Sequence, residues 1–391
     1  MDKPTVQDIF HRFYPAYLDQ YSPSPVQAKV AHNIMNCKTG AYGANVCVCE
    51  DCGFVQIHYN SCRNRCCPMC QAVPKEMWMD ARREDVLDAP YFHLVFTVPD
   101  ILNPVIYSNQ RLLYDALYHA ASSTISELTA DPKHLGAKVG YICILHTWGS
   151  EMNFHPHIHT ILLGGGLASN NQWKDNGENF FLPIRVISKM FRGKYLEELK
   201  RLWEEDKLVF HGTAEKFRNH YTFKELLDSC YGMDWIPHCK KTFNGAQTVI
   251  KYLGKYTHRI AVSNHRIVCM DDDTVTFLVK DYRNEGQWKE LTISGVEFVR
   301  RFLMHVPPRR FVRIRHYGLL CSRTKSQKLT LCRNLLGCKK YLSKLRDMEM
   351  PEILEHLYGI KVCVCKACGG HLGKPQMKMP LRCFSLVWHV I

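Results

Sequence analysis

The sequence lacks the features that would direct it into a membrane or out of the cell. No apolar run approaches the roughly 18 to 20 residues that a membrane-spanning helix requires. The opening stretch, MDKPTVQDIF, has no basic segment followed by an apolar one, so it does not resemble a secretion signal. Internal repeats and low-complexity linkers are also missing. We therefore expect a cytoplasmic protein without a membrane partner, and its 391 residues, 46% of them hydrophobic, suffice for two or three domains.

Acidic residues are missing from one long segment. Residues 298–346 contain no Asp or Glu but carry 14 Lys and Arg, which equals the net charge of +14 for the whole chain. Such a charge indicates a polyanionic partner, and nucleic acid is the first candidate. A solvated basic face is the simpler alternative, but a segment this long without one acid favours a track for phosphates. Its candidate DNA contacts are Arg309, Arg310, Arg313 and Arg315.

Cysteine, in contrast, is abundant near the start of the chain. Eight of the 19 cysteines lie within residues 37–70, and in a cytosolic protein such crowding indicates bound metal, with free buried thiols as the alternative. Two Cys-x-x-Cys pairs with 14 residues between them predict one structural zinc ion held by Cys49, Cys52, Cys67 and Cys70. A second, interleaved zinc ion is a further hypothesis, in which His32 or His58 could replace one ligand. Its candidate thiolates are Cys37, Cys47, Cys62 and Cys66.

A third Cys-x-x-Cys pair lies near the other end of the chain. It consists of Cys365 and Cys368, with Cys363 beside it. Because one pair supplies only two thiolates, a zinc ion at this knuckle would need distant partners such as Cys383.

Three histidines alternate with other residues in the stretch EMNFHPHIHTILLGGG (151–166). In an extended strand alternate side chains share a face, so His155, His157 and His159 point one way while Pro156 and Ile158 point the other. A row of neutral imidazoles can bind a divalent cation and leave positions open for a substrate oxygen. The alternative is a surface strand that is rich in histidine by chance.

Two tyrosines in the stretch VIKYLGKYTHRIAVSNHR (249–266) lie among basic residues. Tyr252 and Tyr256 are four residues apart and so share one face of a helix, and Lys255 and Arg259 are candidate DNA contacts beside them. A tyrosine that attacks the phosphorus of a DNA phosphate forms a phosphotyrosine, which keeps the energy of the broken ester for a later joining step. Other tyrosine pairs at this spacing lie among acidic or apolar neighbours and indicate packing.

The order of predicted elements favours an α+β fold. The predicted strands are 91–99, 138–148 and 154–166, followed by β-rich sequence with an acidic turn at 266–282. The predicted helices are 109–131, 188–208 and 246–260. Adjacent strands joined by short turns favour an antiparallel or mixed sheet with helices on it over a doubly wound sheet.

Four motifs together resemble the insertion sequence 91 family of rolling-circle transposases, which belongs to the HUH (His-hydrophobe-His) group. The motifs are HPHIHTILLGGG, YLGKYTHRIAVSNHR, FVRIRHYG and SCRNRCCPMC, and the similarity runs from about residue 25 to about residue 340. The resemblance implies a palm-like antiparallel sheet with flanking helices, with the histidine strand central and the tyrosine helix packed beside it. It also implies that His157-Ile158-His159 is the HUH motif and that Tyr252 and Tyr256 are the two nucleophiles.

The same resemblance implies an activity. Such a protein nicks and rejoins single-stranded DNA at transposon ends, with Mg²⁺ or Mn²⁺ at the histidines and a 5′-phosphotyrosine intermediate, and it would act at the bacterial nucleoid. A third metal ligand is expected, for which His155 and His146 are the candidates. Position 45 is Asn and position 66 is Cys where the family is expected to carry histidine, which favours Cys47 and Cys66 as replacement ligands of the second zinc ion.

Three domains are expected from these assignments: an N-terminal zinc-binding domain (1–88), a catalytic domain (89–318) and a basic C-terminal region with its knuckle (319–391). Two other functions fit part of the sequence. A metal-dependent hydrolase would need further Asp and His ligands at later strand ends and would give the tyrosines no role. A zinc-dependent nucleic-acid-binding protein without catalysis would carry the histidine row only as surface, and Tyr→Phe changes would leave its function intact.

Overall fold

The computed structural model of the protein describes residues 3–176, 182–235, 237–243, 249, 254, 261–281 and 285–374. Its first part contains two helices, a hairpin and a third helix: α1 (Val6–Gln20), α2 (Pro25–Met35), β1 (Ala44–Val48), β2 (Val55–Tyr59) and α3 (Ala72–Arg83). Thr5 and Ser24 cap the N-termini of the first two helices. Their side chains form capping boxes and satisfy backbone N–H groups of the first turn.

The rest of the chain alternates strands and helices. The middle part contains β3 (Tyr91–Thr97), α4 (Asn103–Ser108), α5 (Gln110–Ala130), β4 (Lys138–Trp148), β5 (Phe154–Leu167), β6 (Trp173–Asp175), α6 (Ile184–Glu204), α7 (His220–Gly232) and β7 (His238–Phe243). The last part contains β8 (Ile267–Met270), β9 (Thr274–Asp281), β10 (Gln287–Ser294), α8 (Gly295–Met304), β11 (Ile314–Gly318), α9 (Lys325–Leu336) and α10 (Met350–Tyr358). None of the helices in the described part of the chain combines the length and the apolar character needed to cross a membrane.

A six-stranded antiparallel sheet lies at the centre of the protein. Its strand order is β11-β4-β5-β3-β7, and β6 pairs with the end of β5. The two long strands β4 and β5 are central and almost entirely buried, because other elements cover both faces of the sheet. The predicted α+β fold with an antiparallel sheet and flanking helices is confirmed.

The predicted element boundaries agree closely with the structure. Strands β3, β4 and β5 match the predicted strands to within two residues, and helix α5 matches 109–131 to within one residue at each end. Helix α6 begins and ends four residues earlier than predicted. The acidic run at 271–273 forms the turn between β8 and β9, as expected. The predicted helix 246–260 lies outside the described residues except for positions 249 and 254, which are both helical.

Apolar layers cover the two faces of the central sheet. On one face helices α4 to α7 pack on alternate strand residues such as Phe92, Tyr141 and Leu162. On the other face α3 and α9 pack on residues that include Ile144 and Ile161. The site described below lies on this second face, because its histidines continue the same alternation along β4 and β5.

The N-terminal helices belong to a further core. Phe10 of α1 contacts Phe302 of α8 edge to face with ring centres 5.2 Å apart, and Phe277 of β9 meets Phe298 in the same way. Helices α1 and α2 therefore pack on α8 and the small β8–β10 sheet, which lie far away in the sequence. The domain boundaries at residues 88 and 318 stay predictions.

Three consecutive glycines at 164–166 let neighbouring backbone and rings approach the end of β5. A Cβ atom on Gly164 would lie 2.9 Å from the Pro90 carbonyl oxygen, and one on Gly165 would meet the Trp173 indole. A Cβ atom on Gly166 would meet the backbone carbonyl of Lys138 in β4. This close pairing is the physical reason for a glycine run directly after the histidine strand.

We expect Gly166→Ala to destabilise the protein by about 1–3 kcal/mol, because the new methyl group overlaps a strand carbonyl that cannot move without disturbing β4. Urea unfolding of the purified variant measures this loss. The control is Gly193→Ala in the middle of α6, where a Cβ atom meets nothing within 4 Å and should stabilise the helix slightly. Equal stability of the two variants would contradict the close approach at β5.

Candidate functional site

Three histidines from the two central strands meet on one face of the sheet. The antiparallel register places His146 of β4 directly opposite His157 of β5, and His159 lies two residues further along the same face. One ring nitrogen of each lies within 4.8 Å of the others, and the Nε2 atoms of His157 and His159 are 3.1 Å apart. Neighbouring ligands of an octahedral cation with bonds of about 2.1 Å lie about 3 Å apart, so the donor atoms fit a divalent metal ion.

Hydrogen bonds to the other ring nitrogens orient two of these imidazoles. Because a carbonyl can only accept, Nδ1 of His157 donates to the backbone carbonyl of His155 at 2.7 Å, and its Nε2 is then the unprotonated nitrogen of the neutral ring. Nδ1 of His159 lies 2.9 Å from Nε2 of His93, a buried residue of β3, and the two rings stack. Partners of this kind fix which nitrogen faces a bound cation.

Burial keeps the imidazoles uncharged. It lowers the pKa of His157 to about 4. It also lowers the pKa of His159 well below its ordinary value, and the neighbouring His146, His157 and His93 add to this effect. Both rings are therefore neutral at neutral pH, which is the form of imidazole that binds a metal.

His155 is not a member of this group, although strict alternation places it on the same face. Its Nδ1 lies 3.1 Å from a carboxylate oxygen of Asp100, and its side chain is 32% exposed. Its ring centre is 5.2 Å from that of His157, so His155 borders the group while its ring nitrogen faces the carboxylate. The structure brings His146, and not His155, together with the two histidines of the HUH motif.

His93 is a site residue that the sequence reasoning missed. It is the one histidine in the apolar stretch YFHLVFTVP (91–99), and a lone polar residue in a buried strand has no distinctive spacing. Only the pairing of β3 with β5 shows that it reaches the HUH motif. A buried histidine in a strand next to a histidine row is the weak signal that could have found it.

An aromatic and cationic wall borders the histidines. The Trp148 indole stacks on His146 with ring centres 4.5 Å apart, and the Arg313 guanidinium lies 5.3 Å from the Trp148 ring. On the same side Nε2 of His305 donates to the backbone carbonyl of Met152 at 3.0 Å. Burial lowers the pKa of His305 to about 4, so this ring is also neutral at neutral pH.

The four arginines predicted as DNA contacts differ in their surroundings. Arg309 and Arg310 are exposed and line one cavity near the N-terminal cysteines. Arg315 instead forms an ion pair with Asp115, and Arg313 packs on the indole described above. The exposed pair therefore presents its charge to solvent, while the other two are held by protein groups.

The predicted nucleophiles and their basic neighbours lie outside the described residues; they are Tyr252, Lys255, Tyr256 and Arg259. From the same segment the structure describes Val249 and Gly254, which are both helical and buried. Val249 belongs to the apolar layer on the histidine face of the sheet. The Gly254 backbone lies against Met79 of α3, where it leaves no space for a Cβ atom.

The cysteines form two groups of four, and in each group the four sulfur atoms lie within 4.8 Å of one another. The first, called the N-terminal cysteine group, contains Cys37, Cys62, Cys67 and Cys70. The second, called the split cysteine group, contains Cys49, Cys52, Cys365 and Cys368. The spacing predicts that the pairs Cys49/Cys52 and Cys67/Cys70 share one zinc ion. In the structure each pair belongs to a different group.

The β1–β2 hairpin separates the two pairs that the spacing predicts to share an ion. Cys49 lies at the tip of the hairpin, whereas Cys37 and Cys62 flank its base, where the Lys38 N–H donates to the Asn60 carbonyl at 3.1 Å. Strands of five residues put about 15 Å between tip and base. Four thiolates around one zinc ion must lie within about 4 Å of each other, so tip and base cannot share it.

The remaining candidate ligands join neither group within the described residues. Cys47 lies in β1 opposite Gln56, and Nε2 of His58 is 2.7 Å from the amide nitrogen of that same glutamine. Cys66 is buried, and burial raises the pKa of its thiol. Cys383 lies outside the described residues.

Comparisons with known proteins identify the class. The family model described as "Putative transposase" matches residues 140–328, and the one described as "Transposase zinc-binding domain" matches residues 9–98. "Putative transposase y4qJ" of Sinorhizobium fredii is 40% identical over 369 residues, which cover 93% of this chain and 93% of that protein. The transposase for insertion sequence element IS801 of Pseudomonas savastanoi pv. phaseolicola is 30% identical over 309 residues, which cover 78% of this chain and 72% of that protein.

Transposases thus match both the cysteine-rich region and the histidine-bearing sheet. The chain belongs to the insertion sequence 91 family of transposases, and the predicted family resemblance is confirmed. The zinc-binding family match and the cysteine groups together support zinc as a bound metal. Among solved structures, the conjugative relaxase TrwC in complex with oriT DNA aligns over 42% of this chain and 71% of that chain, with 12% identity and a TM-score of 0.24.

We expect the free energy of unfolding of the metal-free protein to fall as the pH drops from 6.5 towards 4. In this window the unfolded chain binds protons at histidines whose pKa is near 6.5, whereas native His305, with a pKa of about 4, does not. Each such residue contributes a slope of about 1.4 kcal/mol per pH unit. His305→Gln should reduce the slope measured by urea unfolding at several pH values, and exposed His211→Gln should not. An unchanged slope in His305→Gln would mean that this ring is protonated in the native protein.

Proposed function

We propose that this transposase nicks and rejoins single-stranded DNA at the ends of its element by metal-assisted tyrosine transesterification, as part of rolling-circle transposition. The observation that carries the proposal is the group of three buried histidines. The Nε2 atoms of His157 and His159 are 3.1 Å apart. Both rings are neutral, and each has a partner at its Nδ1 atom that orients it. Such a group would hold a divalent cation through one nitrogen of each ring and would leave coordination positions for a phosphate oxygen.

Val249 and Gly254, the two described residues nearest to the predicted nucleophiles, support the same proposal. Val249 packs on the sheet face that carries the histidines, and Gly254 lies against α3 on that face. Tyr252 and Tyr256 flank Gly254 in the sequence.

The chain's own residues divide the chemistry between them. His146, His157 and His159 would hold Mg²⁺ or Mn²⁺, while His93 and the His155 carbonyl keep the rings of the HUH motif oriented. A cation held there would supply Lewis-acid polarisation of the scissile phosphate and would stabilise charge on its oxygens.

One of the two tyrosines acts as the nucleophile. Its phenol oxygen bonds to phosphorus, the bond from phosphorus to the 3′ oxygen breaks, and the phenol proton passes to solvent while the leaving oxygen takes one up. The products are a 5′-phosphotyrosine and a free 3′-hydroxyl. The second tyrosine can then cut another strand while the first link persists, so strand transfer needs no ATP.

The N-terminal cysteine group has a structural role in this proposal. Its Cys62 and Cys70 sulfur atoms are 3.7 Å apart, which matches the edge of about 3.8 Å of a tetrahedral zinc–thiolate site. Four thiolates leave no open position for catalysis. The group also places Asn64 and Arg65 in the cavity lined by exposed Arg309 and Arg310, where DNA phosphates would meet positive charge.

The deciding experiment incubates the purified protein with labelled single-stranded DNA from the ends of the element, with Mg²⁺ or Mn²⁺, and separates the products on a denaturing gel. We expect a protein-linked DNA band that requires the metal. It should persist in Tyr252→Phe or Tyr256→Phe alone and vanish when both are changed. Tyr221→Phe, which changes an exposed tyrosine of α7, is the matched control and should keep the band.

Two results would overturn the proposal. Metal-dependent cleavage without a protein-linked product would identify a hydrolase that uses water as the nucleophile. DNA binding without cleavage by a protein that retains its metal would identify a binding protein that does not catalyse the reaction.

We expect His146→Ala to lower the affinity for Mn²⁺ by at least about 10-fold, because it removes one of three imidazole ligands. His93→Ala should lower it by about 10- to 100-fold, because the His159 ring loses the partner that orients it. His155→Ala is the control and should bind Mn²⁺ nearly as the wild type does. Calorimetric titration of each variant measures these affinities. The reverse order for His146 and His155 would make His155 the third ligand.

A further inference from the structure

The split cysteine group joins two parts of the chain that are far apart in sequence. It combines the Cys-x-x-Cys turn at the tip of the β1–β2 hairpin with the turn that follows α10. The sulfur atoms of Cys49 and Cys368 are 3.5 Å apart, and those of Cys52 and Cys365 are 3.8 Å apart. The family match to a zinc-binding domain ends at residue 98, so it does not account for the second half of this group.

The two turns have the same backbone geometry. In the first, Cys49 N–H donates to the Phe54 carbonyl at 2.9 Å and Gly53 N–H donates back to the Cys49 carbonyl at 3.0 Å. In the second, Cys365 N–H donates to the Gly370 carbonyl at 2.8 Å, and Gly369 N–H donates back to the Cys365 carbonyl at 3.0 Å. Gly53 and Gly369 both have positive φ, which glycine adopts without strain. Two matching turns that face each other present four sulfur atoms with approximate two-fold symmetry.

Backbone N–H groups also point at the sulfur atoms of the C-terminal turn. Ala367 N–H donates to Cys365 Sγ and Gly370 N–H donates to Cys368 Sγ, both at 3.4 Å. Such hydrogen bonds favour the thiolate over the thiol, because they stabilise negative charge on sulfur. Thiolate is the form that binds a metal.

A short antiparallel pairing holds the two turns together. Glu50 N–H donates to the His371 carbonyl at 3.0 Å, and Gly373 N–H donates to the Val48 carbonyl at 2.9 Å. His371 N–H also donates to the Asp51 carboxylate at 3.1 Å. The segment after the C-terminal knuckle therefore continues along the hairpin tip, which keeps the four sulfur atoms in register.

The sulfur geometry fits a metal ion better than it fits free thiols. A tetrahedral zinc ion with Zn–S bonds of about 2.3 Å separates its sulfur ligands by about 3.8 Å. Cys49 and Cys365 are buried, whereas Cys52 and Cys368 are exposed at the rim. Among the described residues, the apolar cluster at this tip consists of Cys47, Cys49, Cys365 and Leu372. So small a cluster gives four thiols without a metal little reason to meet at this distance.

We propose that the split cysteine group binds a second structural zinc ion, which clasps the C-terminal knuckle onto the tip of the β1–β2 hairpin. This ion is distinct from the one in the N-terminal cysteine group and is independent of the DNA chemistry proposed above. It closes a loop of 313 residues between Cys52 and Cys365. Closing so long a loop restricts the unfolded chain strongly, so the ion stabilises the whole fold as well as the knuckle.

The clasp has a structural consequence for α3. The chain that leads to the knuckle first lies along this helix, where Asp80 accepts hydrogen bonds from Tyr341 and Ser343, both at 2.6 Å. Arg346 pairs at 2.7 Å with Glu84, the residue that directly follows this helix. Helix α3 in turn carries Met79, which contacts Gly254. The zinc clasp thus fixes the far end of a segment that packs on α3, the helix whose Met79 lies against Gly254.

The test uses cobalt in place of zinc, because thiolate ligands give Co²⁺ a strong charge-transfer absorption that the histidine site cannot produce. The reduced, metal-free full-length protein is titrated with Co²⁺, and the wild type should bind two ions with this absorption. Cys365→Ala/Cys368→Ala should lose half of the absorption, and Cys49→Ala/Cys52→Ala should lose the same half. The variant with all four changes should lose no more than either pair does, because both pairs bind one ion.

Cys363→Ala is the matched control, since this exposed cysteine lies two residues from the knuckle but outside the group. It should keep the full absorption. Full absorption in Cys365→Ala/Cys368→Ala, or additive losses from the two pairs, would overturn the proposal. Half of the absorption remaining in a pair variant also shows that the N-terminal cysteine group is still folded.

Alkylation of the zinc-loaded wild type provides a second measurement in case a variant does not fold. Exposed Cys52 and Cys368 should react with iodoacetamide much more slowly than exposed Cys363, as read by mass spectrometry of peptides, and a chelator should release both together. Equal reactivity of the three cysteines would overturn the proposal. Neither measurement depends on DNA cleavage, so failure of the clasp and failure of the proposed transesterification are distinguishable.

Discussion

The register between β4 and β5 is the constraint on which the site depends. A slip of one residue would move His146 to the other face of the sheet and separate it from the HUH motif. The register is fixed because Ile142 and Ile144 share the face of His146, and helices bury that face. Apolar packing along the strands thus sets the geometry of a polar site at their ends, and the glycines at 164–166 allow the strands to lie close enough for it.

Burial of the histidines has two linked effects. It removes water from imidazoles that would otherwise be partly protonated, and so it keeps their nitrogens available to a cation. It also makes an unpaired ring nitrogen costly, and the His155 carbonyl and His93 satisfy two of them. Positive charge lies at the border of the group, on Arg313 beside Trp148.

The sequence predicts the fold well because long, strongly periodic elements dominate it. The central strands, helix α5 and the shared face of His157 and His159 follow from local periodicity alone. Local patterns do not predict which residues meet when that depends on the pairing of distant strands. His155 keeps its ring beside that of His157 but turns a ring nitrogen to Asp100, and His93 reaches the site only through the pairing of β3. For the cysteines, linear spacing cannot show that the β1–β2 hairpin keeps Cys49 and Cys52 apart from Cys67 and Cys70. It also cannot show that Cys49 and Cys52 meet Cys365.

The sequence separation within each cysteine group sets the order in which the groups can form during synthesis. The N-terminal cysteine group is complete once residue 70 has been made, whereas Cys52 must wait for a partner 313 residues later. At about 5–20 residues per second, this interval lasts about 15 to 60 s. A chain that terminates early therefore never completes the hairpin tip, and its two cysteines there keep unsatisfied thiols. Full-length chains differ chemically from truncated ones at a position near the start of the protein.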